Sequence, residues 1–244
     1  MPVSELLIVG AGGFAREAAE AIHAINDVSP TWRLLGFLDD DPLLHGSTVS
    51  GVPVLGPAVA VHEHPDAQVL ICIGRPGNYI SRQPVAERLG LDEERYATIV
   101  HPTATVGRSS RIGRGSVLLA HVDVTADVEV GRFAAIMPQV VLTHDVRVAD
   151  FATLAAAVRV GGGCAVGREA YVGSSSCLRE GVQIGTRAMV GMGSVVVDDV
   201  PAERLWFGAP ACDRGPAPLP GGAGQVVPGL NGGGLNGAVS ALLS

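Results

Sequence analysis

The chain has 244 residues, a formal charge of −7, four cysteines and no run of lysine or arginine, a balance that argues against a nucleic-acid or anionic-membrane surface. No apolar stretch approaches the roughly 20 residues that cross a bilayer, and the first residues run straight into a strand pattern without a signal peptide, so a cytoplasmic protein is expected. Such a length holds one or two domains with a sizeable core.

A short apolar run from Glu5 ends in Gly10-Ala11-Gly12-Gly13, and an Ala-rich helical pattern follows to about Asn26. Strand, glycine turn and helix in that order make half of a Rossmann-type unit, whose glycines let backbone N–H groups approach a phosphate at the helix N-terminus. Leu34 to Leu38 reads as a second strand ending in Asp39-Asp40-Asp41, where a carboxylate can accept hydrogen bonds from a ribose or base. A hairpin-like piece holds Val52-Pro53-Val54. Gln68 to Ile73 is a third buried strand closing on Gly74-Arg75-Pro76-Gly77-Asn78, a helix carrying Arg82 comes next, and Tyr96 to Val100 leads onward. This alternation predicts a small parallel α/β domain over residues 1–98. The glycine turn has three readings: a loose dinucleotide fingerprint on Gly10, Gly12 and Ala15, a phosphate cradle for the nucleotide handle of a substrate, or a tight turn with no ligand. No dehydrogenase catalytic domain follows, which disfavours a redox role, and the cradle is the preferred reading.

From Val100 to Val196 every sixth residue is aliphatic without exception, through Val106, Ile112, Leu118, Val124, Val130, Ile136, Leu142 and onward. Four residues after each stands a small or β-branched residue, from Ala104 and Ser110 to Ser194 and Val200. A six-residue period belongs to a parallel β-helix, expected over residues 99–200, in which each hexad makes one side of a triangular coil. Residues 18 apart then stack on neighbouring coils at roughly 4.8 Å. The glycines that often follow the aliphatic position, Gly107, Gly113, Gly131 and Gly167 among them, are read as corners needing a conformation that Cβ disfavours. Val200-Pro201 ends the period, residues 201–212 are read as a cap, and residues 213–244, with nine Gly and four Pro, as a tail unable to build a core of its own. Cys72, Cys164, Cys177 and Cys212 show no paired metal spacing and are read as reduced thiols.

The hexad stretch resembles the left-handed β-helix of the hexapeptide acyltransferases, typically homotrimers that use acyl-CoA; the hand of the helix comes from that resemblance. Gly10-Ala11-Gly12-Gly13-Phe14, Gly36-Phe37-Leu38-Asp39-Asp40, Cys72-Ile73-Gly74 with Arg82 behind it, and Ile99-Val100-His101-Pro102-Thr103-Ala104 together look like the NeuD/PglD-type sugar acyltransferases, over about residues 4–212. Trp206-Phe207-Gly208-Ala209-Pro210-Ala211 resembles the closing turn of that family. The resemblance implies a Rossmann-like domain that holds the nucleotide of the acceptor, with Gly12, Gly13, Asp39, Asp40 and Gly74 as contacts, and acetyl-CoA as co-substrate.

Acyl transfer from a thioester to an alcohol or amine needs a base near the acceptor and donors for the oxyanion, and no metal. Among seven histidines, His144 is the best base, because the third hexad position faces away from the core and the adjacent Asp145 can orient the imidazole and stabilise its cation. The family's pair, His followed by Glu or Asp in mid-helix, matches these two residues. His121 falls on a different side of the prism, His101 before Pro102 suits a structural hydrogen bond, and His62-Glu63-His64 with Asp66 lacks a third convincing metal ligand. His23 and His45 read as surface residues. Along the later coils, Ala156, Gly162, Gly173 and Gly191 let a pantetheine lie close. Two positions depart from the family. Thr153 stands where some members carry a second histidine, in front of Ala155-Ala156-Ala157 where relatives often have Pro-Gly-Ala, and Met137 stands where an Asn can contact the sugar.

The leading expectation is an acetyl-CoA-dependent transferase acting on an amino or hydroxyl group of a sugar, nucleotide-linked by preference. A free sugar or secondary-metabolite acceptor is the first alternative, and a non-catalytic β-helical binding or scaffold module the second. A prism with His144 and Asp145 on one flat side, and no long loop to cover them, has no second wall for a pocket. Threefold packing supplies one, so a homotrimer with shared sites is expected.

Overall fold

The computed structural model describes residues 3–219. Its first part is a five-stranded sheet in the order β3-β4-β2-β1-β5, built from β1 (Ser4–Val9), β2 (Trp32–Leu38), β3 (Thr48–Val49), β4 (Val52–Gly56) and β5 (Gln68–Ile71). Every pairing is parallel except the β3–β4 hairpin. Parallel strands covered on both faces read as continuous apolar runs, and Leu6, Leu7, Ile8 and Val9 of β1, an interior strand of the sheet, are all buried. On one face lies α1 (Gly13–Val28), whose buried Ala15, Ala18, Ala19 and Ala21 bring the helix close to the sheet. On the other face the apolar packing includes Leu89, the last residue of α2 (Arg82–Leu89).

Both cores of this sheet run on into the second part of the molecule. Leu6 and Ile8 share a cluster with Ile99, Val117 and Leu119, and Leu7 and Val9 share one with Tyr96, Phe133 and Phe151. The aromatic trio is built of contacts at 4.7 Å (Tyr96 to Phe133, edge-on) and 4.8 Å (Phe133 to Phe151, stacked).

The second part is a three-sided parallel β-helix. Two-residue strands recur every six residues from Ile99–Val100 to Val195–Val196, and each pairs with the strands 18 residues away, as Ala135 does with Val117 and Thr153. The aliphatic position points inward throughout: from Leu118 to Val196 none is more than 4% exposed. The first coil is the open end, and there Val106 is 38% exposed. Serines at the small position are buried with their hydroxyls bonded, Ser116 donating to Gly131 O at 2.7 Å and Ser176 to Gly191 O at 2.9 Å, as buried hydroxyls require.

The reason for the glycines differs from the expected one. Gly107, Gly113, Gly131 and Gly167 do not have positive φ. A Cβ on Gly113 would come 2.5 Å from the backbone of Gly131, and one on Gly167 would come 2.6 Å from Thr186 N. These positions are small because the next coil lies against them. The left-handed corner residue stands two places later, three after the aliphatic, and is often not glycine: Asp127, Phe133, Asp145 and Phe151 have φ of 56°, 55°, 62° and 62°.

The strand Arg204–Gly208 continues one side of the prism by pairing with Met189 and Val190, and Ala211–Pro216 folds back antiparallel to it. Ala211 joins the β-helix core and Trp206 packs on its end. This strand extends past residue 212, into the segment read as tail; residues 220–244 of that segment lie outside the described residues. Among the described residues no helix is long and apolar enough to cross a membrane, and the four cysteines are free.

Candidate active site

His144 and Asp145 occupy a corner between the strands Val141–Leu142 and Arg147–Val148. Leu142 and Val146 are fully buried on either side, which fixes the corner and turns both side chains outward. Asp145 adopts the left-handed conformation, which Asp tolerates better than most residues, and its N–H donates to Ala126 O on the preceding coil at 3.1 Å. The result is a contact of 2.8 Å between His144 Nδ1 and Asp145 Oδ2. A carboxylate on Nδ1 selects the tautomer with the proton there and leaves the Nε2 lone pair free. The imidazole lies over Gly162 of the next coil, where a Cβ would stand 2.5 Å from Cε1 and 2.6 Å from Nε2. Gly162, expected to make room for pantetheine, is thus the floor of the imidazole.

Two cavities lie elsewhere, along the seam between the α/β part and the β-helix. One, of about 380 Å³, sits over the carboxyl ends of β1 and β5, lined by Gly10, Gly12, Gly13, Asp39, Gly74 and Asn78 among others. Successive connections leave β1 toward β2 on one side and β5 on the other, so this is the crevice where open α/β sheets bind ligands. The other, of about 340 Å³, is walled by Phe14, Glu17, Met137, Thr153, Ala156 and Tyr171, among others. Burial, opposed by the nearby Arg16, raises the Glu17 carboxyl above the usual range.

The expected contacts divide between these places. Gly12, Gly13, Asp39 and Gly74 line the first cavity; Met137, Thr153 and Ala156 line the second, with Gly13 and Gly74 again. Asp39 also ties the glycine turn to β2, since its Oδ2 accepts from Ala11 N at 2.8 Å. Asp40 turns away. Its carboxylate accepts from Ala58 N at 2.9 Å and pairs with Arg88 at 2.5 Å, and Asp40 is not among the residues lining either cavity. Gly173 and Gly191 are buried; a Cβ there would strike Met192 N at 2.5 Å and Phe207 Cβ at 2.6 Å respectively. Their missing side chains make room for the next coil and the closing hairpin. His101 Nδ1 accepts from Thr103 N at 3.1 Å, and burial, with His121 nearby, lowers its pKa.

Arg82 is the residue that sequence reasoning underused. It is 2% exposed, and its guanidinium donates to Phe133 O, Ile73 O, Phe151 O, Ala152 O and Thr153 Oγ1 at 2.6 to 3.3 Å. Burial pulls its pKa down to about 10, which leaves it charged at neutral pH. It therefore clamps the loop after β5 to two corners of the prism and fixes Thr153 in the cavity wall. The sequence signal for it was only its place behind Cys72-Ile73-Gly74.

An imidazole with a free Nε2 and a braced Nδ1 can take a proton from an alcohol or amine. His144 and Asp145 are not among the residues lining either cavity. They follow a strand in one sheet of the prism, whereas Thr153 belongs to a different sheet. One chain thus carries the His144–Asp145 pair and the second cavity on different sides.

Residues 5–89 match the family model described as the PglD N-terminal domain. The chain is 36% identical over 124 residues to the UDP-N-acetylbacillosamine N-acetyltransferase of Bacillus subtilis (strain 168), covering 48% of this chain and 52% of that protein, so the match spans about half of that relative's length. Over nearly whole chains it is similar to a mutant of the perosamine N-acetyltransferase of Caulobacter crescentus, solved with CoA and GDP-perosamine, at 30% identity and a TM-score of 0.77, covering 88% of this chain and 98% of that one. The acetyltransferase domain of PglB from Neisseria gonorrhoeae FA1090 gives 27% identity and a TM-score of 0.77, covering 86% and 99%. With its Rossmann-like domain followed by a left-handed parallel β-helix, the chain belongs to the NeuD/PglD family of sugar O-/N-acyltransferases.

Proposed function

We propose that this protein transfers an acetyl group from acetyl-CoA to an amino or hydroxyl group of a nucleotide-linked sugar, as a cytoplasmic homotrimer with sites between subunits. The observation that carries the reading is the exposed His144–Asp145 pair, with Nδ1 braced at 2.8 Å and Nε2 free, on a chain that also has a crevice of nucleotide size. The acceptor class is supported by two relatives, one named UDP-N-acetylbacillosamine N-acetyltransferase and the other a perosamine N-acetyltransferase solved with CoA and GDP-perosamine. His144 Nε2 takes the proton of the acceptor as the acceptor's nitrogen or oxygen attacks the thioester carbonyl. Asp145 stabilises the imidazolium that forms. When the tetrahedral intermediate collapses, the C–S bond breaks and the imidazolium returns its proton to the departing CoA thiolate. Subunit sharing is supported by the placement of base and cleft on different sides of one chain. The cytoplasmic assignment is supported by four free cysteines, two of them exposed, which suit a reducing compartment.

The test is CoA release from acetyl-CoA with a panel of UDP-, GDP- and dTDP-linked amino and hydroxy sugars. One acceptor should support turnover, and His144→Ala should lower the rate about 10²-fold or more while remaining folded. Turnover by no acceptor would favour a binding or scaffold module, and near-normal turnover by His144→Ala would remove the base.

A further inference from the structure

The two seam cavities share Gly13, Phe14, Gly74 and Arg75, so a single ligand can occupy both across a common threshold. Of these four residues only Arg75 is charged. Among the described residues no carboxylate lies within ion-pair distance of it. The other guanidinium in the second cavity's wall, Arg82, is 2% exposed and already donates to five protein acceptors.

The loop that carries Arg75 is tethered. Asn78 N donates to Arg75 O at 2.7 Å and Ser81 Oγ to Asn78 O at 3.0 Å. Tyr79, buried, donates from its hydroxyl to Arg187 O on the β-helix at 2.8 Å and packs its ring 5.7 Å from that of Tyr171. The loop that carries the cation is thus anchored on both sides of the seam. In the wall of the same first cavity, the amides of Gly12, Gly13 and Phe14 have no hydrogen-bond partner among the described residues, at the positive end of a 16-residue helix.

On the reading that the acceptor is nucleotide-linked, the nucleoside takes the first cavity and the sugar the second, and whatever joins them crosses the threshold. We propose that Arg75 pairs with the diphosphate of a nucleoside diphosphate-sugar and gives the site its preference for that class over a free sugar. An arginine fork matches two phosphate oxygens at once.

The experiment is calorimetric titration of the full chain with UDP, GDP and dTDP and with the three parent nucleosides, for the wild type and for Arg75→Gln. Arg75 is exposed, so the substitution leaves the fold intact. The expected result is that one diphosphate binds the wild type and binds Arg75→Gln about tenfold more weakly or worse, while affinity for its nucleoside does not change. Arg75→Lys, which keeps the charge, recovers part of the loss. Equal diphosphate affinity in wild type and Arg75→Gln overturns the role of Arg75 and leaves the nucleotide-sugar reading standing. Binding of none of the diphosphates to the wild type overturns that reading and this proposal with it.

Discussion

Gly162 holds the ring of His144 in place because it offers a flat surface with no side chain. A methyl group there would stand 2.5 Å from Cε1, and the imidazole is the part able to move, since it is two-thirds exposed. Gly162→Ala should therefore swing the ring off its carboxylate. We expect kcat to fall about 10-fold to 10²-fold with the KM for acetyl-CoA changed less than about twofold; an unchanged kcat would show that the ring is not positioned by this floor. The pair His144–Asp145 was legible from the sequence, because an outward hexad position next to a carboxylate is a local fact. The contact of Gly162 with this ring was not legible, because what lies over a glycine is set by the coil 18 residues earlier. Nor were the partners of Asp40 legible, since Ala58 N and Arg88 come from elements remote in sequence.

Each coil is held to the next by contacts that distinguish two kinds of glycine. At Gly167 a Cβ would meet backbone atoms of the following coil at 2.6 to 2.8 Å, and neither strand can shift without parting the stack. Gly163 has φ of 69° with nothing within 4 Å of its Cβ direction. Gly167→Ala should cost about 2 kcal/mol or more, as overpacking does, and Gly163→Ala only about 1 kcal/mol, the cost of a left-handed alanine. Chemical denaturation reads both, and the reverse order would contradict this account of the corners. The hexad period revealed the strands and their register but not these roles, since a period marks where a residue recurs and not which neighbour it meets.

Where the α/β part joins the prism, the corner is held by charge as well as by apolar contact. Removing the guanidinium of Arg82 leaves the buried carbonyls of Phe133 and Phe151 without a donor, so Arg82→Met should destabilise the protein by about 3 kcal/mol or more; a loss below about 1 kcal/mol by denaturation would show that the clamp is dispensable. Nearby, Asp150 accepts from Arg132 N at 2.8 Å and pairs with Arg132 and Arg168 at 2.9 and 3.3 Å. Burial by itself raises its carboxyl, but the hydrogen bonds and charge of Arg132, with Arg168, outweigh that and hold it below the usual range. A carboxyl depressed in the folded state contributes stability that is complete above the unfolded value, near pH 4, and is lost as pH falls below it. Thermal unfolding from pH 5 to pH 3 should therefore show a shallower acid loss in Asp150→Asn than in the wild type. An identical acid limb would mean that the ion pairs do not contribute.

For the whole molecule, the central claim is that a second copy brings its base to the cleft of the first. The sequence suggested this through the lack of any covering loop, and the fold adds that base and cavities are on different sides. The direct measurement mixes two inactive variants, His144→Ala and Ala156→Trp, the latter filling the seam cavity, after light scattering has shown each to be a trimer and subunits have been exchanged. If adjacent subunits share the site, random mixing leaves about a quarter of the interfaces with an intact base facing an intact cleft. CoA release should then return to about a quarter of the wild-type rate. A mixture as inactive as its parents, with exchange verified, would place base and cleft within one chain and contradict the account.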